Sequence, residues 1–316
     1  MRYCMEVKIK ERLSQLFDEQ KINCAVIFEK GTTPDKNAPN IIYSKEGLNN
    51  LVWNSMNWNN LANYLPKLLG KKIGIVAKGC DARSIVLLMQ EEKVKREDLY
   101  IIGINCTGMV DMKKIAKDFG EEILEAVFEK DKVKVKGQES EKEYKIKDFL
   151  FESCKVCKYP SPVIYDEVIG EKVNGYEGDN YEDITEFEKL SPEERRKYFY
   201  NELSGCIRCY ACRNSCPSCY CQECFVDSNQ PKWLEKGQNI DDIFFYHVVR
   251  AYHMAGRCVD CGSCQNACPM DINILKLTKK LNKDVRELYK YECGLDPKNP
   301  PALSTFEPDD YNEFIK

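Results

Sequence analysis

The chain contains one cysteine spacing twice, as CIRCYACRNSCP at residues 206–217 and as CVDCGSCQNACP at residues 258–269. Three cysteines at intervals of three can wrap a loop around one iron–sulfur cubane, with each thiolate bound to a different iron. In two-cluster ferredoxins, the fourth cysteine of such a run ligates the other cluster. The repeat therefore predicts two [4Fe–4S] clusters whose ligand sets cross over between the loops.

The crossing pattern assigns four ligands to each cluster. The first cluster is expected on Cys206, Cys209, Cys212 and Cys268. The second is expected on Cys258, Cys261, Cys264 and Cys216. Two other interpretations fit the pattern less well, since zinc usually takes two C-x2-C pairs rather than triplets ending in C-P. A disulfide framework suits small secreted chains.

Composition bounds the class of protein. A length of 316 residues suggests about two domains, and a net charge of −4 gives no reason to expect nucleic acid or an anionic membrane as a partner. The 18 cysteines, without a secretory signal at the N-terminus, favour a reducing compartment. No apolar run reaches the roughly 18 residues of a membrane span. We therefore expect a cytoplasmic protein that does not itself contact a membrane.

The first half of the chain predicts an α/β domain with a parallel β-α-β core. Its unit is a strand at 72–77, a helix at 81–93 and a strand at 100–105, and the two strands should be parallel with a right-handed crossover. Ahead of this unit, the apolar pattern predicts a helix at 6–20, a buried strand at 23–29, a loop at 30–40 and a helix at 49–69.

Four further cysteines fall at informative places in this domain. Cys80 and Cys106 follow the two core strands, at the edge where parallel sheets bind ligands. The positive end of the following helix would favour a thiolate near Cys80. Cys154 and Cys157 form a C-x2-C pair downstream. By position alone, the four could close a third cubane, or Cys80 and Cys106 could be buried core cysteines beside a redox pair.

Three segments of this domain, AKGCDARSI, IIGINCTG and ESCKVCKYPSPVIYDEVIG, resemble the cysteine motifs of a known family. It is the beta-subunit family of hydrogenases and formate dehydrogenases that use the deazaflavin coenzyme F420. The similarity spans about residues 71–170, and it implies a third [4Fe–4S] cluster on Cys80, Cys106, Cys154 and Cys157. The resemblance also leaves room for FAD, which typical members carry, although the sequence contains no motif for it.

These motifs set the expected organisation of the chain. We expect an α/β domain with one cluster at 1–165, a connector at 166–203, a mostly helical dicluster ferredoxin module at 204–296, and a partner-binding or loose tail at 297–316. Helices are predicted at 241–253 and 275–289 from their periodicity. Another should begin after Ser191, where a capping box meets a proline at the first helical position.

The segment between the two loops adds Cys219, Cys221 and Cys224. Its CPSCYC stretch resembles the dicluster part of anaerobic sulfite reductase A subunits and sulfhydrogenase beta subunits. The three thiols could bind another metal with a fourth ligand such as Cys293, or they could pack beside a neighbouring cluster and tune it.

Few other polar residues suggest chemistry. The two histidines, His247 and His253, favour packing or surface roles, because a Rieske-type site needs paired His and Cys ligands in another layout. The basic residues that flank the cysteines are interpreted as solvated charges rather than cluster-tuning groups; they are Lys155, Arg208, Arg213 and Arg257.

The function expected from these features is electron transfer. The sequence contains no G-x-G-x-x-G, P-loop or HExxH motif, and no catalytic residue is assigned. We expect an iron–sulfur subunit of a cytoplasmic redox complex that relays single electrons between a catalytic subunit and another carrier. The catalytic subunit would be of formate dehydrogenase, hydrogenase or heterodisulfide-reductase type. The other carrier could be ferredoxin or a flavin-containing bifurcating subunit.

Two alternative functions stay open. The chain could be a flavin-containing beta subunit that itself oxidises or reduces coenzyme F420 or a nicotinamide cofactor, since clusters cannot accept hydride. The CPSCYC stretch alone would suggest a subunit of a reductase in sulfur metabolism.

Overall fold

A computed structural model describes residues 2–235 and 237–302, with side chains from residue 5 onward. Most of the expected tail at 297–316 lies outside the described residues. The helices and strands of the first part are α1 (Arg2–Asp18), β1 (Cys24–Lys30), β2 (Asn37–Ile42), β3 (Ile73–Ala77), α2 (Gly79–Gln90), β4 (Leu99–Ile104), α3 (Met112–Phe119), β5 (Glu125–Glu129), β6 (Lys132–Lys136) and β7 (Glu141–Lys145). Those of the second part are α4 (Glu152–Lys155), β8 (Glu167–Ile169), α5 (Glu182–Glu188), α6 (Pro192–Leu203), α7 (Ala211–Asn214), α8 (Ile240–Met254), α9 (Ser263–Asn266) and α10 (Leu275–Tyr289).

The central sheet has the order β2-β1-β3-β4-β8. Strands β1, β3, β4 and β8 run parallel, whereas β2 is an antiparallel edge strand. The predicted β-α-β unit is confirmed, with Ile73 opposite Leu99 and Ala77 opposite Gly103. Strand β3 is buried throughout, which explains its continuous apolar run, because parallel sheets are covered on both faces.

The predicted helix at 49–69 is wrong. The structure has 3₁₀ turns at 45–50 and 61–67 instead, with Pro66 inside the second. Asparagine side chains in this stretch bond to nearby backbone, as Asn54 Oδ1 accepts from Met56 N and Asn60 Oδ1 from Ala62 N. Such bonds give the backbone an alternative to the helical pattern.

The predicted loop at 30–40 is also partly wrong, because strand β2 begins at Asn37. Pro39 lies inside this strand, paired with Phe28 of β1. An edge strand tolerates a proline, since one side of the strand needs no ladder hydrogen bond.

A second, three-stranded antiparallel sheet of β5, β6 and β7 was not predicted. It buries Val133, Val135 and Tyr144 against Ile115 of α3, while the alternate positions of β6 face outward. The alternating sequence KVKVK at 132–136 carries the period-two signal of a half-buried strand.

The second half of the chain is mostly helical, as predicted. Helix α10 has the predicted bounds and α8 extends the predicted one by a residue at each end. Helix α6 begins after Ser191 with the expected capping box, in which Ser191 Oγ accepts from Glu194 N at 3.2 Å. The fold class of a parallel α/β domain followed by a helical module is therefore confirmed.

The two parts of the chain are in direct contact. Strand β8 lies in the stretch expected to be a connector, so the central sheet continues past residue 165. Arg83 of α2 is buried and donates from Nη2 to Cys293 O at 2.7 Å and from Nη1 to Val259 O at 3.3 Å. Within the described residues, no helix is long and apolar enough to cross a membrane.

Candidate iron–sulfur sites

The two cysteine loops have the same local backbone. In each, the third and fifth residues adopt positive φ: Arg208 and Tyr210 at 51° and 59°, and Asp260 and Gly262 at 56° and 73°. Each loop contains a one-turn helix, α7 in the first and α9 in the second, and the two helices pack together. The sequence repeat is thus a structural repeat, which is what two equivalent metal centres need.

Backbone N–H groups in both loops point at the first cysteine. Arg208 N lies 3.4 Å from Cys206 Sγ, and Asp260 N lies 3.4 Å from Cys258 Sγ. A bond of this kind favours the charged form of a thiol. In both loops this bond opposes the effect of burial, which raises the pKa of Cys206 and of Cys258.

The first set of predicted ligands lines one small cavity of about 20 Å³. It comprises Cys206, Cys209 and Cys212 of the first loop and Cys268 of the second. The fourth cysteine of the second loop thus lies with the first three of the other, as the crossing pattern predicts. Ligation of a cluster by these four stays a prediction.

The four cysteines of the second set interact electrostatically with one another. Burial raises the pKa of Cys258 well above its ordinary value, and Asp260, Cys261, Cys264 and Cys216 raise it further. The last three are the predicted partners of Cys258. Their sulfurs lie close enough for their charges to interact. Burial raises the pKa of Cys261 and Cys264 as well, whereas a hydrogen bond with Cys219 lowers that of Cys216 to about 6.

The four cysteines of the α/β domain line a larger cavity of about 700 Å³, namely Cys80, Cys106, Cys154 and Cys157. Gly108 N lies 3.3 Å from Cys106 Sγ. A Cβ at Gly79 would stand 1.9 Å from Tyr159 O, so only glycine lets the C-x2-C segment approach the end of β3. Burial raises the pKa of Cys106 to about 11 and that of Cys154 to about 12.

The larger cavity is shared with the second cysteine loop, because Cys261 also lines it. Asn60 lies between the two groups: its Nδ2 donates to Cys80 O at 3.2 Å, and its side chain is hydrogen-bonded with Cys261. A Cβ at Gly262 would come 2.4 Å from Ser153 Oγ, which shows how closely the loop packs against the C-x2-C segment.

The chemistry of these cavities fits an anionic, thiolate-bound group. Every cysteine whose side chain the structure describes is a free thiol, so nothing supports the disulfide interpretation among them. Buried Lys78 pairs with Asp81 at 2.9 Å beside Cys80, and the buried Nε of Arg250 has no hydrogen-bond partner. Within the described chain, no three His, Cys, Asp or Glu side chains have the arrangement of a single-ion site.

Helix α8 packs one face against the first loop and leads into the second, where Cys258 N donates to Met254 O at 3.0 Å. Its Tyr246 Oη lies 3.9 Å from Cys212 Sγ, and its Met254 Sδ lies 3.7 Å from Cys216 Sγ. Its Arg250 donates from Nη2 to Cys212 O at 3.1 Å. The sequence prediction missed this face, although Arg250 stands in the same helical stripe as Ile243 and Met254. A charged residue inside an apolar stripe is the signal that could have found it.

His247, expected to have a packing or surface role, contacts a candidate ligand. Its Nε2 lies 3.4 Å from Cys206 Sγ. Burial, with Arg250 and Arg208 nearby, lowers the pKa of His247 to about 3, so the ring is neutral near pH 7. His253 packs edge-on against Phe225, as a packing role predicts.

The flanking basic residues differ in exposure, and Lys155 is exposed, as the solvated interpretation expects. Arg208 is buried and donates to Glu235 O at 2.6 Å and to Tyr210 Oη at 3.0 Å, which contradicts the solvated interpretation. The other three pair with carboxylates: Lys155 with Glu152, Arg213 with Asp227, and Arg257 with Glu91.

The additional cysteines have different surroundings. Cys219 is hydrogen-bonded with Cys216, whereas Cys221 is exposed. Cys293 packs in a separate apolar cluster with Leu87 and Val285. Cys261 of the second loop also packs against this cluster.

The paired loops with crossing cysteines define a dicluster iron–sulfur protein. Residues 202–272 match the family model described as a 4Fe-4S dicluster domain. Residues 70–219 match the model of the C terminus of the coenzyme F420 hydrogenase/dehydrogenase beta subunit. The chain therefore matches the C-terminal part of coenzyme F420 hydrogenase/dehydrogenase beta subunits over residues 70–219 and a dicluster [4Fe–4S] domain over residues 202–272, and the resemblance stated from the sequence is confirmed.

Two curated relatives extend the match over most of the chain. One is the F420-dependent formate dehydrogenase subunit beta of Methanocaldococcus jannaschii, 26% identical over 295 residues, or 75% of this chain and 77% of that protein. Another is the F420-dependent formate dehydrogenase 1 subunit beta of Methanococcus maripaludis, 25% identical over 294 residues, or 73% of this chain and 75% of that protein.

One solved structure is also similar, a xenon-derivatised F420-reducing [NiFe] hydrogenase complex from Methanosarcina barkeri. The chain is 12% identical to it with a TM-score of 0.37, over 63% of this chain and 86% of that chain.

Proposed function

We propose that the chain is an electron-transfer subunit of a redox complex, with three [4Fe–4S] centres in a row. The inner centre would be held by Cys80, Cys106, Cys154 and Cys157, the middle centre by Cys258, Cys261, Cys264 and Cys216, and the outer centre by Cys206, Cys209, Cys212 and Cys268. When bound, such clusters supply one-electron exchange.

One observation supports the proposed order of the inner, middle and outer centres. Cys261, a proposed ligand of the middle centre, lines the same cavity as the four proposed ligands of the inner centre. No proposed ligand of the outer centre lines that cavity in the described chain. The fourth cysteine of each loop belongs to the ligand set of the other loop, so the middle and outer centres should lie next to each other.

The outer centre has the access to solvent that exchange with another protein requires. Cys209 is exposed, and its neighbours Ile207 and Met270 are 47% and 46% exposed. Both apolar side chains line the small cavity with the cysteines. Exposure is also one of the factors that set the potential of a cluster.

The residues around the sulfurs would hold the ligands and stabilise their charge. Backbone N–H groups of Gly108, Arg208 and Asp260 donate toward the cysteines two positions earlier. Since a thiolate cannot donate, His247 Nε2 would carry the hydrogen in its contact with Cys206. These contacts orient ligands and tune the bound group.

The partner is proposed from the relatives. Both are beta subunits of F420-dependent formate dehydrogenases by name, so we propose a formate-oxidising catalytic subunit rather than a hydrogenase or heterodisulfide-reductase type. Ferredoxin or a flavin-containing bifurcating subunit would exchange electrons with the other end. Such a complex would act in the cytoplasm.

A second function is favoured by the size of the larger cavity. Its volume of about 700 Å³ is in the range of small-molecule sites. The side chains of Trp58, Tyr159 and Tyr176 contribute to its lining. This would suit a chain that holds FAD beside the inner centre and exchanges hydride with coenzyme F420.

Iron and flavin content of anaerobically purified protein tests both proposals. The electron-transfer proposal expects about twelve iron atoms per chain, four for each cubane, and no flavin released by acid. About eight iron atoms per chain would mean that only the two dicluster centres are present and that the inner centre is absent. One equivalent of flavin per chain would favour the second function instead.

A further inference from the structure

Arg250 is a buried guanidinium at the junction of the two cysteine loops. It lies on α8 with 5% exposure, and its Nη2 donates to Cys212 O at 3.1 Å. Burial opposes its charge, but Cys219, Cys216, Cys264 and Cys212 act on it strongly enough to raise its pKa. Cys212 and Cys216 belong to the first loop and Cys264 to the second, whereas Cys219 lies between the loops and is hydrogen-bonded with Arg250.

This arginine has no carboxylate partner among the described residues. None of the ion pairs in that part of the chain includes it, and its Nε is buried without a hydrogen bond. A buried charge is costly unless an opposite charge compensates it. Arg83, which is equally buried, instead has Glu292 at 3.5 Å and carbonyl groups around it.

We propose that Arg250 is the shared counter-charge of the middle and outer centres and keeps both reducible. The inference rests on the ligand sets proposed above, because Cys212 belongs to the outer set and Cys216 and Cys264 belong to the middle set. Adding one electron to either centre increases the negative charge around the guanidinium. A fixed cation stabilises that reduced form and raises the potential.

The arrangement differs from that of His247 on the same helix. In the described chain, the sulfur to which His247 is hydrogen-bonded is Cys206 Sγ. Cys206 belongs to the outer set, so His247 acts on the outer centre. Arg250 lies between the two sets and carries a full charge. It should therefore influence both potentials in the same direction.

The test is a redox titration of the loaded protein, followed by electron paramagnetic resonance. In Arg250→Gln, the ratio of reduced to oxidised centre at a fixed potential should fall at least tenfold for both dicluster centres. A tenfold change corresponds to 59 mV for a one-electron couple. The inner centre should keep its ratio.

Two variants serve as controls. Arg250→Lys keeps the charge and should stay within threefold of the unsubstituted protein. Arg213→Gln removes a charge that is close in sequence but paired with Asp227, and it should leave both ratios unchanged. If Arg250 had only a structural role, the reduced-to-oxidised ratios would not fall in Arg250→Gln while staying close to the unsubstituted values in Arg250→Lys and Arg213→Gln.

The outcomes separate this inference from the proposed function. Unchanged dicluster ratios in Arg250→Gln, with the full iron content, would overturn the inference and leave the row of centres intact. If that variant loses its iron, Arg250→Lys decides: ratios within threefold support the inference, and a tenfold fall with the charge retained overturns it. Absence of the dicluster iron from the unsubstituted protein would overturn both proposals.

Discussion

The two cysteine loops have one backbone but different surroundings. At the third position of each loop, the first has buried Arg208 and the second has Asp260. The first loop reaches the surface at Cys209. The second faces the interior, where Asp260 accepts from Tyr181 Oη at 3.1 Å and from Asn282 Nδ2 at 3.0 Å.

This difference shows how a duplicated motif can acquire two roles. The shared backbone presents three thiols and an N–H group in each loop, which serves to bind the same kind of group. The surroundings then determine what each bound group can reach. In our account, the second loop relays electrons inside the chain, and the first exchanges them with another protein.

The largest expected effect comes from removing a ligand of the interior loop. Cys258→Ser should abolish the middle centre and disrupt the fold of the helical module that begins near residue 206, because metal ligation is coupled to folding. Cys209→Ser, at the exposed loop, is the matched comparison and should preserve more of the helical signal. Iron content and circular dichroism measure the two effects. Normal iron in Cys258→Ser would contradict the assignment.

The next effect concerns the inner centre. Cys154→Ala should remove about a third of the iron and leave both loops loaded, because its ligands lie in the α/β domain. Cys24→Ala is a suitable control, since Cys24 is buried in β1 away from the cavity. Unchanged iron in Cys154→Ala would argue against the third cluster.

The smallest effect tests the opposite charges at the third loop position. Asp260→Asn should make the middle centre easier to reduce, and Arg208→Gln should make the outer centre harder to reduce, each on the order of threefold in the reduced-to-oxidised ratio. Burial raises the pKa of Asp260, so its carboxyl is charged only above that raised value. The Asp260→Asn effect should therefore grow as the pH rises. Shifts of the same sign in both variants would refute this explanation.

Local sequence patterns predicted the parts of the molecule that depend on them. The repeat at 206–217 and 258–269 led to the crossing cysteine groups, and the strand-helix-strand pattern placed Cys80 and Cys106 at one edge of the sheet. The misassigned stretch at 49–69 is different, because asparagine side chains there replace helical hydrogen bonds.

The electrostatic environment was harder to predict. Arg250 and His247 gain their surroundings only when α8 packs against the first loop, which no spacing within the helix specifies. Arg208 resembles an ordinary surface residue in the sequence, yet it is buried and its guanidinium donates to the backbone carbonyls of Glu235 and Gly237. These features depend on contacts between distant segments, which a single sequence does not reveal directly.

Diffraction from the loaded protein at the iron absorption edge tests the central claim most directly. Our account predicts three iron-cluster peaks, with the middle one bound by Cys258, Cys261, Cys264 and Cys216 and lying between the other two. Single-ion peaks, a cluster bound by all four cysteines of one loop, or no iron beside Cys154 and Cys157 would contradict it.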